Sequence, residues 1–221
     1  MNINDLVLVA LILATCVSSY IAWQNQFVFQ RYQFHVGSVL RDGQYRRLIT
    51  SGFLHADWMH LLFNMLTLYF FAPIMLHLFK PLGFLLLYFG AMLAGSAFSL
   101  WLYRKRPSYT AIGASGAVSG VLFAAIAIHP MMSIYFFFIP IPIPAWIFGT
   151  LYFAYSVHMM LNPRPNDNIG HAAHLGGAVF GLVFVLLLAL PFVLANALYL
   201  GIMTLPLLYL AYELFFGKRR P

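Results

Sequence analysis

The chain has 221 residues, of which 62% are hydrophobic and only 8% charged, with a mean hydropathy of +0.85. Soluble domains carry roughly 25% charged residues, so this chain lacks the polar surface to cover itself in water, and lipid must be its main solvent. The formal charge of +7 does not point to nucleic acid, because the basic residues sit in short loops and at the C-terminus, as in membrane proteins. Cys16 is the single cysteine, which excludes an internal disulfide and a cysteine-based metal site.

A helix needs about 20 apolar residues to cross the hydrocarbon core. Runs of that kind fall near 6–24, 58–79, 83–103, 113–130, 145–162, 170–190 and 193–216. The first reads as a retained span, since Met1 to Asp5 carries no Lys or Arg and no small-residue cleavage pattern follows. Residues 25–57 form a long loop rich in aromatics and arginine, including Phe27, Tyr32, Phe34, Arg46 and Arg47, a composition suited to the membrane interface. Prolines 140, 142 and 144 end any helix between the fourth and fifth runs, because each lacks an N–H and clashes with the preceding turn. The stretch 170–216 is too long for one span and divides near Pro191 to Asn196. The expectation is an all-α polytopic membrane protein of seven spans, with six plus a surface helix as the alternative. It forms a single membrane domain over 1–221, multi-pass and in a cell membrane.

Polar residues inside spans are costly and therefore informative. Three clusters occur. His55, Asp57, His60 and Asn64 enter the second span, with His60 and Asn64 on one helical face at i and i+4. Gly113, Ser115, Gly116, Ser119 and Gly120 enter the fourth. Asn168, Gly170, His171, His174, Gly176 and Gly177 enter the sixth. All three lie at the N-terminal ends of even-numbered spans, hence on one side of the membrane. Asn64 and His174 each follow an aspartate, Asp57 and Asp167, by seven residues, which places both about 10 Å below the charged boundary. A serine, two or three imidazoles and an amide can thus converge at one depth. Each has an ordinary reading taken singly: small residues such as Gly116 and Gly120, or Gly177 and Gly181, serve close helix packing, and a lone intramembrane His or Asn serves an interhelical hydrogen bond.

Serine becomes a nucleophile when a base takes its proton, and histidine suits that task near neutral pH. The usual third member is a carboxylate. The five acids, Asp5, Asp42, Asp57, Asp167 and Glu213, sit in loops or near span ends, and none is placed to bond His174. The expected unit is a Ser115–His174 dyad whose imidazole is held by something else, such as aromatic packing. Oxyanion donors would be backbone N–H groups at the helix start by Ser115 and the side chains of His60 and Asn64. Gly113 and Gly116 would allow close approach of backbone and substrate. Gly176 and Gly177 would let the sixth span press on the fourth. A G-x-S-x-G elbow and an H-E-x-x-H zinc motif are both absent from the sequence.

Gly113-Ala114-Ser115-Gly116, Ala173-His174-Leu175-Gly176-Gly177, and His55, His60 and Asn64, in this order and span spacing, resemble the rhomboid family of intramembrane serine proteases over roughly residues 40–190. The resemblance implies a six-helix bundle over about 6–190 with a water-filled cavity, plus an added seventh C-terminal span over about 193–216. It implies Ser115 as nucleophile, His174 as general base, and His60, Asn64 and the Ser115 N–H as oxyanion hole. Membrane proteins with a transmembrane segment would be the substrates, with no metal and no cofactor. Arg47 matches the arginine of the Trp-Arg pair common in the family's first loop, but Arg46 stands where the tryptophan would be, which puts the packing of that loop in question. The family's inactive members make a client-binding, non-catalytic protein the alternative; a solute or metal transporter using His60, His171 and His174 is a second. The family keeps its N-terminus cytoplasmic, and that orientation is the expectation. The charge count opposes it, because Lys80 is the only Lys or Arg on the N-terminal side of a seven-span chain.

Overall fold

The computed structural model describes residues 2–136, 139–164, 167 and 169–217. Asn168 and the basic run 218–220 lie outside the described residues. Helix α1 (Ile3–Gln24) starts on a capping box, in which Asn2 accepts from the Asp5 N–H and the Asp5 carboxylate accepts from the Asn2 N–H. The first loop folds into short helices, α2 (Gln26–Tyr32), α3 (Val36–Leu40) and α4 (Arg47–Thr50), with a strand β1 (Phe34–His35). Next comes α5 (Trp58–Tyr103), 46 residues long and interrupted at Lys80, whose φ of 58° is outside the helical region. Pro81 disfavours helical geometry at the residue before it. The break makes two antiparallel limbs, 58–79 and 81–103, matching the second and third expected spans.

The chain continues through β2 (Thr110–Ala111), α6 (Ser115–Ile128), β3 (Ser133–Phe136), β4 (Ile139–Pro144), α7 (Ala145–Leu161), α8 (His171–Leu188), α9 (Leu190–Ala195) and α10 (Ala197–Phe215). Among the described residues, α1, α5, α8 and α10 are long and apolar enough to cross a membrane, and α6 and α7 are shorter apolar helices. Counting both limbs of α5, seven apolar helical segments follow one another, and the break near Pro191 falls where the sequence places it. The alternating Ile-Pro segment does more than end a helix. It forms β4, paired antiparallel with β3 and with Ser133 opposite Pro144, because proline is tolerated on an edge where its missing N–H leaves no ladder bond unmade.

Helix α6 is the centre of the bundle. Every residue from Gly116 to Ile128 is buried, and α6 packs against both α5 and α8. Its 14 residues rise about 21 Å, short of a hydrocarbon core of about 30 Å. A helix this short cannot bring both of its ends to the surfaces of such a core. Glycines set its spacing from α8: a Cβ at Gly177 would overlap the Gly116 carbonyl, and one at Gly181 the Gly120 carbonyl. Gly176 does not share this role, contrary to the sequence expectation. Successive helical residues point about 100° apart, so Gly176 faces α5, with Gly95 Cα 2.9 Å and Phe98 Cβ 2.9 Å from where its Cβ would stand.

Candidate active site

Ser115 is the first residue of α6, and His174 lies in the first turn of α8. The glycine contacts between those helices bring Ser115 Oγ to 2.7 Å from His174 Nε2. The imidazole lies against the Tyr152 ring of α7, with centroids 6.2 Å apart and planes inclined by 26°. Tyr152 is itself fixed by a 3.0 Å hydrogen bond between its hydroxyl and Ser119 Oγ and by its Phe123 neighbour. The imidazole is thus flanked by an aromatic face rather than by a carboxylate. Asp167, the nearest acid along the chain, is bonded to His171 Nε2 at 3.1 Å instead.

Asp57 caps α5 by accepting from the His60 N–H at 2.8 Å, which fixes the turn that carries His60 and Asn64. Asn64 Nδ2 donates to the His60 carbonyl at 2.9 Å; an amide NH2 has a second hydrogen to give. His60, Asn64, Ser115 and His174 all line one cavity of about 510 Å³, together with Phe148, Tyr152 and Ile169. The His60 ring lies over Gly113, where a Cβ would stand 2.7 Å from His60 Nε2. Gly113 also has a φ of +115°, which side chains rarely adopt. Glycine is required at 113 on both counts.

His55 is completely buried and holds the turn before Ser115 from behind. The Ala114 N–H donates to His55 Nε2 at 3.3 Å, so Nε2 is the unprotonated nitrogen and Nδ1 bears the hydrogen. Nδ1 then donates to Ser19 Oγ at 2.9 Å, and Ser19 passes its own hydrogen to the Phe53 carbonyl at 2.9 Å. Burial, with His60 nearby, pushes the His55 pKa down to about 3 against a smaller upward pull from Asp57, which keeps the ring neutral as the network needs. Trp23 of α1 donates to the His55 carbonyl at 2.7 Å and meets the Trp58 ring edge-on at 4.5 Å. Replacing His55 with phenylalanine keeps an aromatic ring but strands the buried Ala114 N–H, at a cost of about 1–3 kcal/mol. The melting temperature should fall by several degrees, and an unchanged one would show that the turn does not depend on His55.

A protein-family model described as "Rhomboid domain" matches residues 42–191, a stretch that contains all three polar clusters. The chain belongs to the rhomboid family. It is 31% identical over 182 residues to "RHOMBOID-like protein 12, mitochondrial" of Arabidopsis thaliana, covering 74% of this chain and 53% of that protein. Over 144 residues it is 33% identical to "Rhomboid protein 1, mitochondrial" of Saccharomyces cerevisiae, covering 62% of this chain and 40% of that one. "Rhomboid-like protein 16, chloroplastic" of Arabidopsis thaliana is 26% identical over 176 residues, 72% of this chain and 52% of that protein. The chain thus spans about half the length, or less, of these curated relatives. Membership and the apolar helices make it a multi-pass integral membrane protein. The relatives' mitochondrial and chloroplastic names lend no support to the expected cell membrane.

Within this rhomboid domain the remaining sequence candidates are accounted for individually. Arg47 is buried and braces the first loop, donating to the carbonyls of Gln30 at 2.8 Å and Gln33 at 2.7 Å and to Gln44 Oε1 at 2.7 Å. Gly116 lies 3.1 Å, from its would-be Cβ, off the Ala173 carbonyl beside His174. His171 does not join the cavity: it turns to Asp167 and to the Tyr155 ring, with centroids 5.5 Å apart. Tyr152 is the cavity residue that sequence reasoning missed. Its signal is a tyrosine placed mid-span, where a hydroxyl must find a partner, with Ser119 one turn beyond Ser115 to provide it.

Proposed function

We propose that this rhomboid-family chain is a serine endopeptidase that hydrolyses peptide bonds in or near transmembrane segments of membrane proteins. The 2.7 Å contact between Ser115 Oγ and His174 Nε2, inside a cavity shared with His60 and Asn64, is the observation that supports it. His174 Nε2 takes the hydroxyl proton as Ser115 Oγ attacks the scissile carbonyl carbon. The oxygen becomes an oxyanion facing the Ser115 N–H, which as a first-turn donor has no helical acceptor, and the Asn64 and His60 side chains. The weak 3.4 Å approach of the Ala56 N–H to His60 Nδ1 leaves His60 Nε2 as the N–H of a neutral ring. Collapse expels the amine, which receives the proton from His174. Water, deprotonated in turn by His174, then hydrolyses the acyl-enzyme.

The test is cleavage of a generic single-span reporter in proteoliposomes, with fluorophosphonate labelling of the same preparations. Wild type should cut and label, and Ser115→Ala should do neither. A folded wild type that stays silent over a panel of reporters would favour the client-binding reading. Loss of cleavage on chelation would point to metal. Among the described residues, however, no three His, Cys, Asp or Glu side chains gather as a metal set.

A further inference from the structure

Helix α10 packs chiefly on α7 and stands away from α5 and α8. Met203 of α10 is fully buried against Gly149 and Phe123, and Trp146 meets Tyr199 with centroids 5.8 Å apart. Held at that position, α10 leaves an apolar slot of about 360 Å³ between itself, α5 and α8, lined by residues including Phe98, Trp101, Leu175, Val179, Leu207 and Ala211. Water does not enter such a slot at hydrocarbon depth, and an empty one forfeits the dispersion contacts of its walls. An acyl chain is the material at hand to fill it.

An arginine stands beside the slot. The Arg104 guanidinium lies 5.5 Å from the centre of the Trp101 ring that lines the slot, and its Nη1 donates to the Trp101 carbonyl at 2.8 Å. Lys105 and Arg106 come next in the chain, with Arg106 5.7 Å from the Tyr103 ring. Among the described residues no carboxylate forms an ion pair with any of the three; the only such pair is His171 with Asp167. Glu213 of α10 accepts from Tyr209. A guanidinium over the ring that lines the slot, with no carboxylate paired to it and two further cations next in the chain, matches an anionic head on an acyl tail. We propose that this slot is a binding site for a phospholipid of net negative charge, with one acyl chain between α10 and α8 and the headgroup phosphate at Arg104.

Phospholipids brominated on their acyl chains quench tryptophan on contact. The Trp101 signal is the part of the fluorescence that Trp101→Phe removes, measured on the full chain in phosphatidylcholine vesicles. At equal mole fraction, brominated phosphatidylglycerol should quench it several-fold more effectively than brominated phosphatidylcholine. Arg104→Gln/Lys105→Gln/Arg106→Gln, confined to an exposed loop, should bring the two lipids level. Ala211→Phe fills the slot with the charges intact and should lower the phosphatidylglycerol excess as well. Equal quenching by both headgroups in the wild type, or an excess that survives charge removal, would overturn the proposal. So would quenching that declines as the protein-to-lipid ratio rises, which would put a second copy of the chain in the slot.

Discussion

Replacing His174 with alanine should lower reporter cleavage by at least about 10⁴-fold, to the level of Ser115→Ala, and combining the two substitutions should cost nothing more. Residues that act as one unit lose their whole effect with the first member removed. The reason to expect a unit here is that, among the described residues, His174 is the imidazole hydrogen-bonded to Ser115. His171 is the other imidazole on α8, with its ring centre 6.3 Å from that of His174, but it does not line the cavity. His60 sits across the cavity on the side of Gly113, where it would face the oxyanion of the proposed mechanism. Fluorophosphonate labelling should vanish in parallel, and thermal unfolding should stay close to wild type, since His174 packs against Tyr152 at the edge of a cavity. Cleavage in His174→Ala above about one per cent of wild type would mean that another base works there.

Much of this site is legible in the sequence because a membrane makes position along the chain equivalent to depth. Apolar runs give the spans, and a polar residue a fixed number of residues from a span end has a known depth; that is why spacing alone brings Ser115, His174, His60 and Asn64 together. Contacts between residues far apart in the chain are beyond the reach of spacing. His55 is held by Ser19 and Trp23, more than thirty residues earlier, and Ala114 leans on His55 across 59 residues. Tyr152 escapes a sequence reading because its role depends on how α7 faces α8, and no periodicity reports that. Gly176 and Gly177 look equivalent as neighbours in sequence, yet one faces α5 and the other α6. The Lys80 break and the β3–β4 pairing are backbone choices beside prolines, where the sequence marks the end of a helix but not the conformation that replaces it.

Gly177→Leu should lower activity and stability together. A Cβ at 177 would already overlap the Gly116 carbonyl, and leucine adds a branched side chain to it. The obstacle is the backbone of a helix buried on every side, so it cannot rotate away as a flexible side chain would. The gain of about 1 kcal/mol in helix propensity on leaving glycine does not offset an overpacking cost of about 1–3 kcal/mol or more. The helices must move apart, and Gly116 and Ala173 are the direct neighbours of Ser115 and His174. An opening of about 1 Å takes the 2.7 Å Ser115–His174 contact beyond hydrogen-bond range and costs a catalytic unit about 10²-fold. Cleavage should fall by at least that factor and the melting temperature by several degrees. Gly201→Leu is the matched control, because nothing lies within 4 Å of a Cβ at that position on α10; it should leave activity unchanged and should not lower the melting temperature, since only the helix-propensity gain applies there. If Gly177→Leu instead cut and melted like wild type, the α6–α8 contact would not be what sets the Ser115–His174 distance. Loss of activity with stability kept in His174→Ala, beside loss of both in Gly177→Leu, would separate the residue that performs the proton transfer from the residue that lets the two helices meet.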